Sequence, residues 1–414
     1  MSKSMVIVGA GHSGGKAAYA LRKHGWAGPI TLIGSEHQPP YDRPPLSKAV
    51  LLGKKTPESC LFRQREWYQE QNIDLLLERR VSLIDRASRK VLLDDGESFD
   101  YERLLIATGA ELNALQIPGV DLPGVSPLRT TDDSARVASY LRPEKHLLVV
   151  GAGFIGLEVA AAAIEKGCAV TVVESAPAAL ARNLPKEVAQ AIVAIHAERG
   201  VTLRFGVAVV NIEGQAHVDA VRLSTGERIQ CDHLVYGVGV RPRTGLAEQA
   251  GLEVSNGVRV NAALQTSDPD IFACGDVCSF FSKRYGRALR LESWKTAEDQ
   301  ADFAARSMLG QAVSYDEVPW FWSNQYDIAL QVAGLPTIGS TTVSRPAGRG
   351  RLFFSLSEAG ALIGLCGLGP IPDIAVPVRL LKAWIDSGAR LCPHRLADVT
   401  IPLTDARNFE PAAA

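Results

Sequence analysis

One short pattern occurs twice in the chain and decides its fold. Residues 5–14 read MVIVGAGHSG, and residues 147–156 read LLVVGAGFIG. Four consecutive apolar residues predict a buried strand, and the alanine-rich sequence after each third glycine predicts a helix. We therefore predict two strand–turn–helix units, each with glycines at the first, third and sixth positions of the turn.

The glycine spacing is that of a dinucleotide-binding turn. The first glycine permits the tight turn, the second lets the backbone approach a pyrophosphate, and the third lets the helix pack on the strand. An acidic residue that can bind ribose hydroxyls is expected about twenty residues later, and Glu36 and Glu174 each follow a second apolar strand at about that distance. One such turn would fit a structural role equally well. Two complete units indicate two bound dinucleotides and electron transfer between them.

Composition sets limits on partners and location. The 414 residues are 46% hydrophobic with a formal net charge of −1, which predicts two to four domains and no overall field for nucleic acid or an anionic membrane. The apolar run 147–164 is interrupted by a glycine turn, so we predict a buried strand and helix rather than a membrane span. The first residues show no secretory pattern, and we expect a cytoplasmic location.

The cysteines argue against a metal or dithiol site. There are seven, with no Cys-x-x-Cys pair, so no metal site is expected and the odd number suits a reducing compartment. Cys274 and Cys278 lie four residues apart in a predicted strand-to-helix turn. Buried packing is favoured over redox chemistry for this pair.

The order of elements predicts α/β organisation followed by a different module. The first unit is followed by an extended run at 104–107, and the second by a helical pattern at 185–200 and a strand at 234–238. Alternation of strands with helices favours parallel sheets covered by helices. From about residue 319 the pattern changes to four short strands and one helix, which indicates an antiparallel α+β module. The strands are predicted at 328–332, 341–344, 352–355 and 361–364, and the helix at 374–387.

Several longer motifs resemble one family, the FAD- and NADH-dependent ferredoxin reductases that serve bacterial oxygenases. The resemblance covers nearly the whole chain and is more specific than the glycine turns alone. Its carriers are the two glycine turns, Pro40-Tyr-Asp-Arg-Pro-Pro-Leu-Ser-Lys48, Ala107-Thr-Gly109, Thr266-Ser-Asp268, Gly275-Asp276 and Trp320-Phe-Trp-Ser323.

The resemblance implies a glutathione-reductase-like α/β fold with two Rossmann-type nucleotide-binding domains and a C-terminal α+β domain. The FAD-binding domain would be discontinuous, comprising 1–110 and 242–318. The NAD-binding domain would span 111–241 and the C-terminal domain 319–414. A monomer or weak dimer is typical of the family.

The resemblance also implies a set of FAD contacts, in addition to Gly9, Gly11, Gly14 and Glu36. Three of these residues also have a purely structural interpretation. Val81 could equally pack in the core, Asp276 could be the N-cap of a helix, and Trp294 could be a buried core residue. The further FAD contacts are Ser13, Arg43, Lys48, Val81, Ala107, Thr108, Gly109, Arg129, Asp276 and Trp294.

Two residues are implied to act in catalysis. Lys48 would lie at the flavin edge near N5, and Glu158 would lie beside it and near the nicotinamide. From the residues alone, a solvent-exposed lysine and a glutamate interacting with the helix dipole fit equally well.

The second dinucleotide is expected to be NADH. A carboxylate at Glu174 would bind the ribose hydroxyls and repel a 2′-phosphate, and no cation follows directly at 175–177. Arg182 could contact the cofactor, or it could equally be an exposed surface residue. The implied NAD contacts are Gly151, Gly153, Phe154, Ile155, Gly156, Glu158, Glu174, Arg182, Gly239 and Glu292.

Electrons must leave the chain, because it has neither a dithiol nor ligands for a cluster. The resemblance implies a separate [2Fe–2S] ferredoxin that supplies a cytochrome P450 or a ring-hydroxylating dioxygenase. Trp320 and Trp322 either line the electron exit or pack the C-terminal domain, and Asn324 departs from the family's usual Asp. Six basic residues could form a surface that attracts an acidic ferredoxin, or they could simply be exposed to solvent. They are Lys54, Lys55, Arg63, Arg65, Arg284 and Arg287.

Two other functions are compatible with part of the sequence. An NADH oxidase or peroxidase on the same scaffold would need a redox cysteine in the first domain, and residues 39–48 contain none. An interaction protein switched by NADH, resembling apoptosis-inducing factor, is disfavoured because targeting and basic segments are missing.

Overall fold

A computed structural model describes residues 4–407 of the chain. Its strands, in chain order, are β1 (Met5–Val8), β2 (Ile30–Ile33), β3 (Ile73–Leu76), β4 (Val81–Asp85), β5 (Lys90–Leu93), β6 (Ser98–Asp100), β7 (Arg103–Ile106), β8 (Ala110–Leu112), β9 (Val125–Pro127), β10 (His146–Val150), β11 (Ala169–Glu174), β12 (Thr202–Phe205), β13 (Val209–Gly214), β14 (Val218–Leu223), β15 (Arg228–Gln230), β16 (His233–Tyr236), β17 (Val240–Pro242), β18 (Val258–Val260), β19 (Ile271–Ala273), β20 (Cys278–Ser282), β21 (Arg287–Leu289), β22 (Trp320–Gln325), β23 (Ile328–Gly334), β24 (Thr341–Ala347), β25 (Gly350–Leu356) and β26 (Leu362–Gly369).

The α-helices are α1 (His12–Lys23), α2 (Arg65–Glu70), α3 (Thr131–Tyr140), α4 (Phe154–Glu165), α5 (Lys186–Glu198), α6 (Gly245–Gln249), α7 (Trp294–Met308), α8 (Ile371–Asp386) and α9 (Pro393–Ala397). Short 3-10 turns occur at Pro44–Ser47, Glu58–Cys60, Gly275–Val277, Pro336–Ile338 and Leu403–Arg407. Within residues 4–407 no helix has the length and apolar character needed to cross a membrane.

The chain divides into two compact units. The first unit comprises residues 4–44, 57–111 and 240–317, and the second comprises 45–56, 112–239 and 318–407. Residues 45–56, which carry Lys48, therefore belong to the second unit. The division into three domains remains a prediction.

The first unit is built on a parallel sheet with the strand order β19-β7-β1-β2-β3. Strands β1 and β2 are buried at every position, because a parallel sheet covered on both faces needs apolar residues throughout. The core includes these strands and apolar residues of α1, α7 and the smaller sheets. Two three-stranded sheets of this unit have the orders β4-β5-β6 and β18-β20-β21.

The second unit contains another parallel sheet, with the order β12-β11-β10-β16-β9. Helix α4 contacts β10 and β11 of this sheet as well as β22, and its four consecutive residues from Ala160 to Ala163 are all buried. Small side chains let the helix lie close to the strands. The two parallel sheets confirm the predicted α/β fold class.

The C-terminal part of the second unit is an antiparallel sheet with the order β22-β23-β26-β25-β24, covered by α8. The four predicted strands and the helix are all present. The pattern missed β22, because its sequence WFWSNQ has no polar–apolar alternation.

One prediction of secondary structure was wrong. The segment after Ala273 was expected to start a helix at Asp276, but Gly275–Val277 is a 3-10 turn followed by strand β20. Gly275 has a φ of +78°, which ends the strand β19 without starting a helix. Asp276 therefore does not stand at the N-terminus of an α-helix.

A buried histidine makes the stability of the second unit depend on pH. His233 at the start of β16 is 1% exposed, and neither ring nitrogen has a hydrogen-bond partner among the described residues. Its ring stacks on Tyr140 at 4.0 Å between centroids. Burial, with smaller contributions from His217 and Arg136, lowers the pKa of His233 to about 3.

We predict that His233→Phe makes the protein less sensitive to acid. The unfolded chain binds a proton at this histidine below pH 6.5 while the folded chain does not, so the free energy of unfolding falls as the pH drops below 6.5. Between pH 7.5 and pH 4.5 the variant should lose about 2–3 kcal/mol less than the wild type. Urea unfolding at the two pH values measures this difference. Equal losses in both proteins would contradict the buried neutral state.

Candidate functional site

The glycine turn of the first unit leaves one side open. Gly9 has a φ of +113°, and a Cβ at that position would lie 2.2 Å from the carbonyl oxygen of Ala107. A Cβ at Gly14 would lie 1.8 Å from the carbonyl oxygen of Gly9. At Gly11, by contrast, the nearest atom is Nη2 of Arg43, 3.9 Å away. The outer glycines are thus required by packing, and the middle glycine faces open space.

The turn of the second unit has the same geometry. Gly151 has a φ of +105°, and a Cβ there would lie 2.5 Å from the carbonyl oxygen of Gly237. A Cβ at Gly156 would meet the carbonyl oxygen of Gly151 at 2.1 Å, while one at Gly153 would meet nothing within 4 Å.

Both turns fit the pyrophosphate of a dinucleotide. Gly11 and Gly153 are the N-cap residues of α1 and α4, and neither helix is capped by a hydrogen bond from the N-cap side chain. The first-turn N–H groups and the helix dipole are therefore oriented to receive an anion at the open glycine.

In the first unit, Glu36 and Arg43 form an ion pair next to the glycine turn. Oε1 of Glu36 lies 2.5 Å from Nη2 of Arg43, and Oε2 accepts a 2.6 Å hydrogen bond from the Tyr41 hydroxyl. Burial acts to lower the pKa of Arg43, but the nearby Tyr41, Glu36 and Asp276 raise it overall. The guanidinium is therefore a permanent cation beside Gly11, suited to a phosphate.

The segment around Gly275 closes on the same turn. A Cβ at Gly275 would lie 2.2 Å from Oγ of Ser13, and the Gly275 N–H donates to the Gln300 side chain at 2.8 Å. Asp276 is close enough to Arg43 to affect its pKa. The first unit thus brings together Ser13, Glu36, Arg43 and Asp276, which lie far apart in sequence.

Trp294, which was predicted to contact FAD, also has contacts within the protein. Its indole Nε1 donates a 2.6 Å hydrogen bond to Oδ1 of Asp42, and its ring contacts His12 at 4.9 Å between centroids. His12 also contacts Phe62 at 4.9 Å. Trp294 is therefore part of an aromatic cluster at the start of α1.

Sequence reasoning missed His12. Its side chain is 10% exposed, and neither ring nitrogen has a hydrogen-bond partner among the described residues. Burial, together with the charges of Lys16 and Arg43, lowers the pKa of His12 to about 3. A histidine inside a glycine turn was the available signal, and its burial favours the neutral ring.

Glu174 is held in place by the glycine turn of the second unit. Its Oε2 accepts from the Ala152 N–H and its Oε1 from the Ala176 N–H, both at 2.8 Å. The carboxylate therefore stands at the end of β11, beside the turn, where a ribose-binding acid is required.

The structure also places four other predicted NAD contacts. Gly239 has a φ of +98° and lies near Arg182, whose Nη2 would be 3.4 Å from a Cβ at Gly239. Phe154 makes an edge contact with Phe321 at 5.2 Å, and Ile155 is exposed.

The remaining predicted residues can be placed as well. The side chain of Val81 packs in the core of the first unit, and the Thr108 hydroxyl donates to the Arg243 carbonyl at 2.9 Å. Ala107 is buried and Gly109 has a φ of +68°. Glu292 lies in the first unit, paired with Arg290 at 2.7 Å, and Arg129 lies in the second unit, just before α3. The roles of these residues in cofactor binding stay predictions.

Lys48 and Glu158 form an ion pair within the second unit. Nζ of Lys48 lies 2.6 Å from Oε2 of Glu158, with side chains 18% and 3% exposed. The same oxygen accepts from the Ser47 hydroxyl, while Oε1 accepts from the Ser323 hydroxyl at 2.6 Å. A buried carboxylate needs such partners, because an uncompensated charge in the interior is costly. The pairing of Lys48 with Glu158 is thus present, and Ser47 and Ser323 are partners that the sequence did not reveal.

The cysteines are free thiols, and all but Cys392 are buried. Burial raises the pKa of Cys274 to about 12, and it also raises the pKa of Cys278. These thiols stay protonated and pack as small apolar groups. No dithiol is available in the described part of the chain to carry electrons.

Two parallel sheets, each with a glycine turn open to a pyrophosphate and an acid beside it, define an oxidoreductase of the two-dinucleotide class. The family model described as pyridine nucleotide-disulphide oxidoreductase matches residues 3–301, and the model described as reductase C-terminal matches residues 320–407. The chain belongs to the pyridine nucleotide-disulphide oxidoreductase family. Members of this family bind FAD and NAD(H).

Similar proteins confirm the resemblance to ferredoxin reductases. Rhodocoxin reductase from Rhodococcus erythropolis is 41% identical over 402 residues, which cover 97% of this chain and 93% of that protein. The ferredoxin–NAD(+) reductase component of the anthranilate 1,2-dioxygenase system from Burkholderia cepacia is 40% identical, covering 96% and 98%. Among solved structures, the covalent putidaredoxin reductase–putidaredoxin complex matches with a TM-score of 0.93 at 35% identity, covering 98% of both chains.

We predict that two alanine substitutions in the second glycine turn affect different properties, one NADH binding and the other stability. Gly153→Ala should leave the melting temperature unchanged, because its methyl group enters open space, but it should weaken NADH binding roughly ten-fold or more by blocking the approach of the pyrophosphate. Gly156→Ala should lower the melting temperature, because the new Cβ would overlap the Gly151 carbonyl oxygen. Thermal unfolding and NADH titration of both variants check this. Tight NADH binding by Gly153→Ala would contradict the assignment of the open side.

Proposed function

We propose that the protein is an FAD-dependent reductase that passes electrons from NADH to a [2Fe–2S] ferredoxin, which supplies a cytochrome P450 or a ring-hydroxylating dioxygenase. The observation that carries the proposal is the combination of two open glycine turns, each with its own carboxylate, and the absence of a dithiol among the described residues. When bound, FAD would accept a hydride from NADH and deliver the two electrons singly. The protein supplies position and electrostatics.

The first unit has the residues to hold FAD. The open face at Gly11, the first-turn N–H groups of α1 and the Arg43 cation suit its pyrophosphate. Glu36 would bind the adenosine ribose while keeping its contacts with Tyr41 and Arg43.

The second unit has the residues to hold NADH. Glu174 is oriented by the N–H groups of Ala152 and Ala176, so its carboxylate needs no rearrangement to meet the two ribose hydroxyls. A 2′-phosphate would bring a second anion to this carboxylate, and this disfavours NADPH.

We assign Lys48 to the flavin edge and Glu158 to its support. The ammonium group of Lys48 would stabilise negative charge on a reduced flavin, and the buried Glu158 fixes the position of that ammonium group. Neither residue needs to transfer a proton during hydride transfer.

The proposed partner rests on the similar proteins. Two of them are named as a rhodocoxin reductase and a ferredoxin–NAD(+) reductase component, and a third is solved in covalent complex with putidaredoxin. By analogy, a ferredoxin of the [2Fe–2S] type is the acceptor proposed for this chain. A cytoplasmic location and a monomer or weak dimer complete the proposal.

We predict that NADH reduces the bound flavin much faster than NADPH, and that Glu174→Gln reduces this preference. Removing the charge removes the repulsion of the 2′-phosphate and weakens the ribose contacts, so the preference for NADH should fall roughly ten-fold. Stopped-flow measurement of flavin bleaching gives both rates. Glu187→Gln, which removes an exposed carboxylate of α5 in the same unit, is the matched control and should behave like the wild type. Equal rates for the two nucleotides in the wild type would rule out the role of Glu174.

We predict that an added [2Fe–2S] ferredoxin strongly stimulates cytochrome c reduction by NADH. The reason is that the described chain has no second electron carrier of its own. The control is the same mixture without ferredoxin, with hydrogen peroxide measured in both. If peroxide formation equals NADH consumption and ferredoxin changes neither, the protein is an oxidase and the proposed acceptor is wrong.

A further inference from the structure

A chain of hydrogen bonds, buried except at its last member, extends from Glu158 to His196 of α5 and the half-buried Tyr326. It lies entirely within the second unit, and its members beyond Glu158 are Ser323, Gln325, His196 and Tyr326. The hydroxyl of Ser323 lies 2.6 Å from Oε1 of Glu158 and 3.1 Å from Nε2 of Gln325. Oε1 of Gln325 lies 2.6 Å from Nε2 of His196, and Nδ1 of His196 lies 3.0 Å from the Tyr326 hydroxyl.

The alternation of β22 creates this arrangement. Successive side chains of a strand point to opposite faces, so Phe321, Ser323 and Gln325 share one face. Phe321 contacts Phe154 of α4, Ser323 contacts Glu158 of α4, and Gln325 contacts His196 of α5. Asn324 points to the other face and is exposed. Its departure from the family pattern therefore does not affect the chain of bonds.

The chemistry of the groups sets the direction of every bond. An ionised carboxylate only accepts hydrogen bonds, so the Ser323 hydroxyl donates to Glu158 and accepts from the Gln325 amide nitrogen. The amide oxygen of Gln325 then faces His196, which must carry its proton on Nε2. The free lone pair on Nδ1 accepts from the Tyr326 hydroxyl. All donors thus point toward Glu158, and the orientation of the Gln325 amide fixes the tautomer of His196.

The surroundings keep His196 in the neutral form that this direction requires. His196 is completely buried, and Ser323 and Gln325 share a small cavity with aliphatic side chains that include Ile192, Ile195 and Leu368. Burial lowers the pKa of His196 more than its bond with Gln325 raises it. Burial also raises the pKa of the Tyr326 phenol, which therefore remains a donor.

We propose that Ser323, Gln325 and His196 are positioning residues that hold the carboxylate of Glu158 in the orientation in which it binds Lys48. The inference rests on the proposed function, in which Lys48 supports the reduced flavin. The two carboxylate oxygens have separate tasks. Oε2 accepts from Ser47 and Lys48 on the segment 45–56, while Oε1 is tied to the C-terminal sheet through Ser323. Without Ser323, Oε1 would lose this buried donor, and the carboxylate would be held only through Oε2, by Ser47 and Lys48.

The first experiment uses a matched pair of variants at one position. Ser323→Ala removes the donor to Glu158, and Ser323→Thr keeps a hydroxyl. We expect Ser323→Ala to slow flavin reduction by saturating NADH roughly ten-fold and to lower the flavin midpoint potential, and we expect Ser323→Thr to recover most of both. Reduction is followed without ferredoxin, so that the identity of the acceptor has no influence on the result.

A double-mutant cycle separates positioning from general support of the fold. If Ser323 acts through Glu158, then Ser323→Ala should cause little further change in a Glu158→Gln background. Additive losses in rate and potential, or the same loss with Ser323→Thr as with Ser323→Ala, would overturn the proposal. If the wild-type holoprotein is not reduced by NADH at all, the proposed function fails instead.

A second measurement does not depend on the reaction. The imidazole ¹⁵N spectrum of the holoprotein, with the His196 signals identified by their loss in His196→Asn, should show a neutral ring protonated on Nε2. Gln325→Glu keeps the side-chain length but can only accept hydrogen bonds, so His196 should become protonated and the Ser323 hydroxyl should turn away from Glu158. A wild-type ring protonated on Nδ1, or an unchanged His196 spectrum in a folded Gln325→Glu variant, would overturn the proposed direction of the chain.

Discussion

The close contact between helix and strand at the third glycine of each turn is the constraint on which the rest of the structure depends. The carbonyl oxygen of Gly9 lies 1.8 Å from the place of a Cβ at Gly14, and that of Gly151 lies 2.1 Å from the place of a Cβ at Gly156. Only glycine permits this approach. Because the helix starts so close to the strand, its first N–H groups point to the open face of the middle glycine, where an anion can bind.

The second constraint is the burial of Glu158. A carboxylate that is 3% exposed requires donors for both oxygens, and its donors come from two segments, 45–56 and β22. The need to satisfy one charge thus ties Lys48 to α4 and the C-terminal sheet to the same helix. Together with the packing of Leu51 in the core of the second unit, this pairing accompanies the grouping of residues 45–56 with that unit. The charge of Glu158 and the packing of the segments around it therefore both fix Lys48, the residue that we propose for the flavin edge.

Patterns that depend on a short stretch of sequence were predictable. The strands β1 and β10, the helices after them and the acids Glu36 and Glu174 follow from apolar runs and spacing. Strand β22 was missed because its sequence, WFWSNQ, does not alternate between polar and apolar residues. Asp276 was expected to begin a helix because a strand followed by Gly-Asp resembles the start of a helix. Gln325 and His196 gave no usable signal, and Ser323 was part of a motif that did not reveal its partner, since such polar residues acquire a role only from their neighbours in space.

By itself, the sequence determined the α/β class, the two nucleotide turns and the lack of a dithiol, because each depends on residues close together in the chain or on the spacing of cysteines. Only the tertiary structure decided which distant groups meet. It joins Ser13 and Gly275 in the first unit, and Lys48, Glu158 and Ser323 in the second. The physical reason is that a buried charge or polar group takes its partners from whichever segments the packing of strands and helices brings within hydrogen-bond distance.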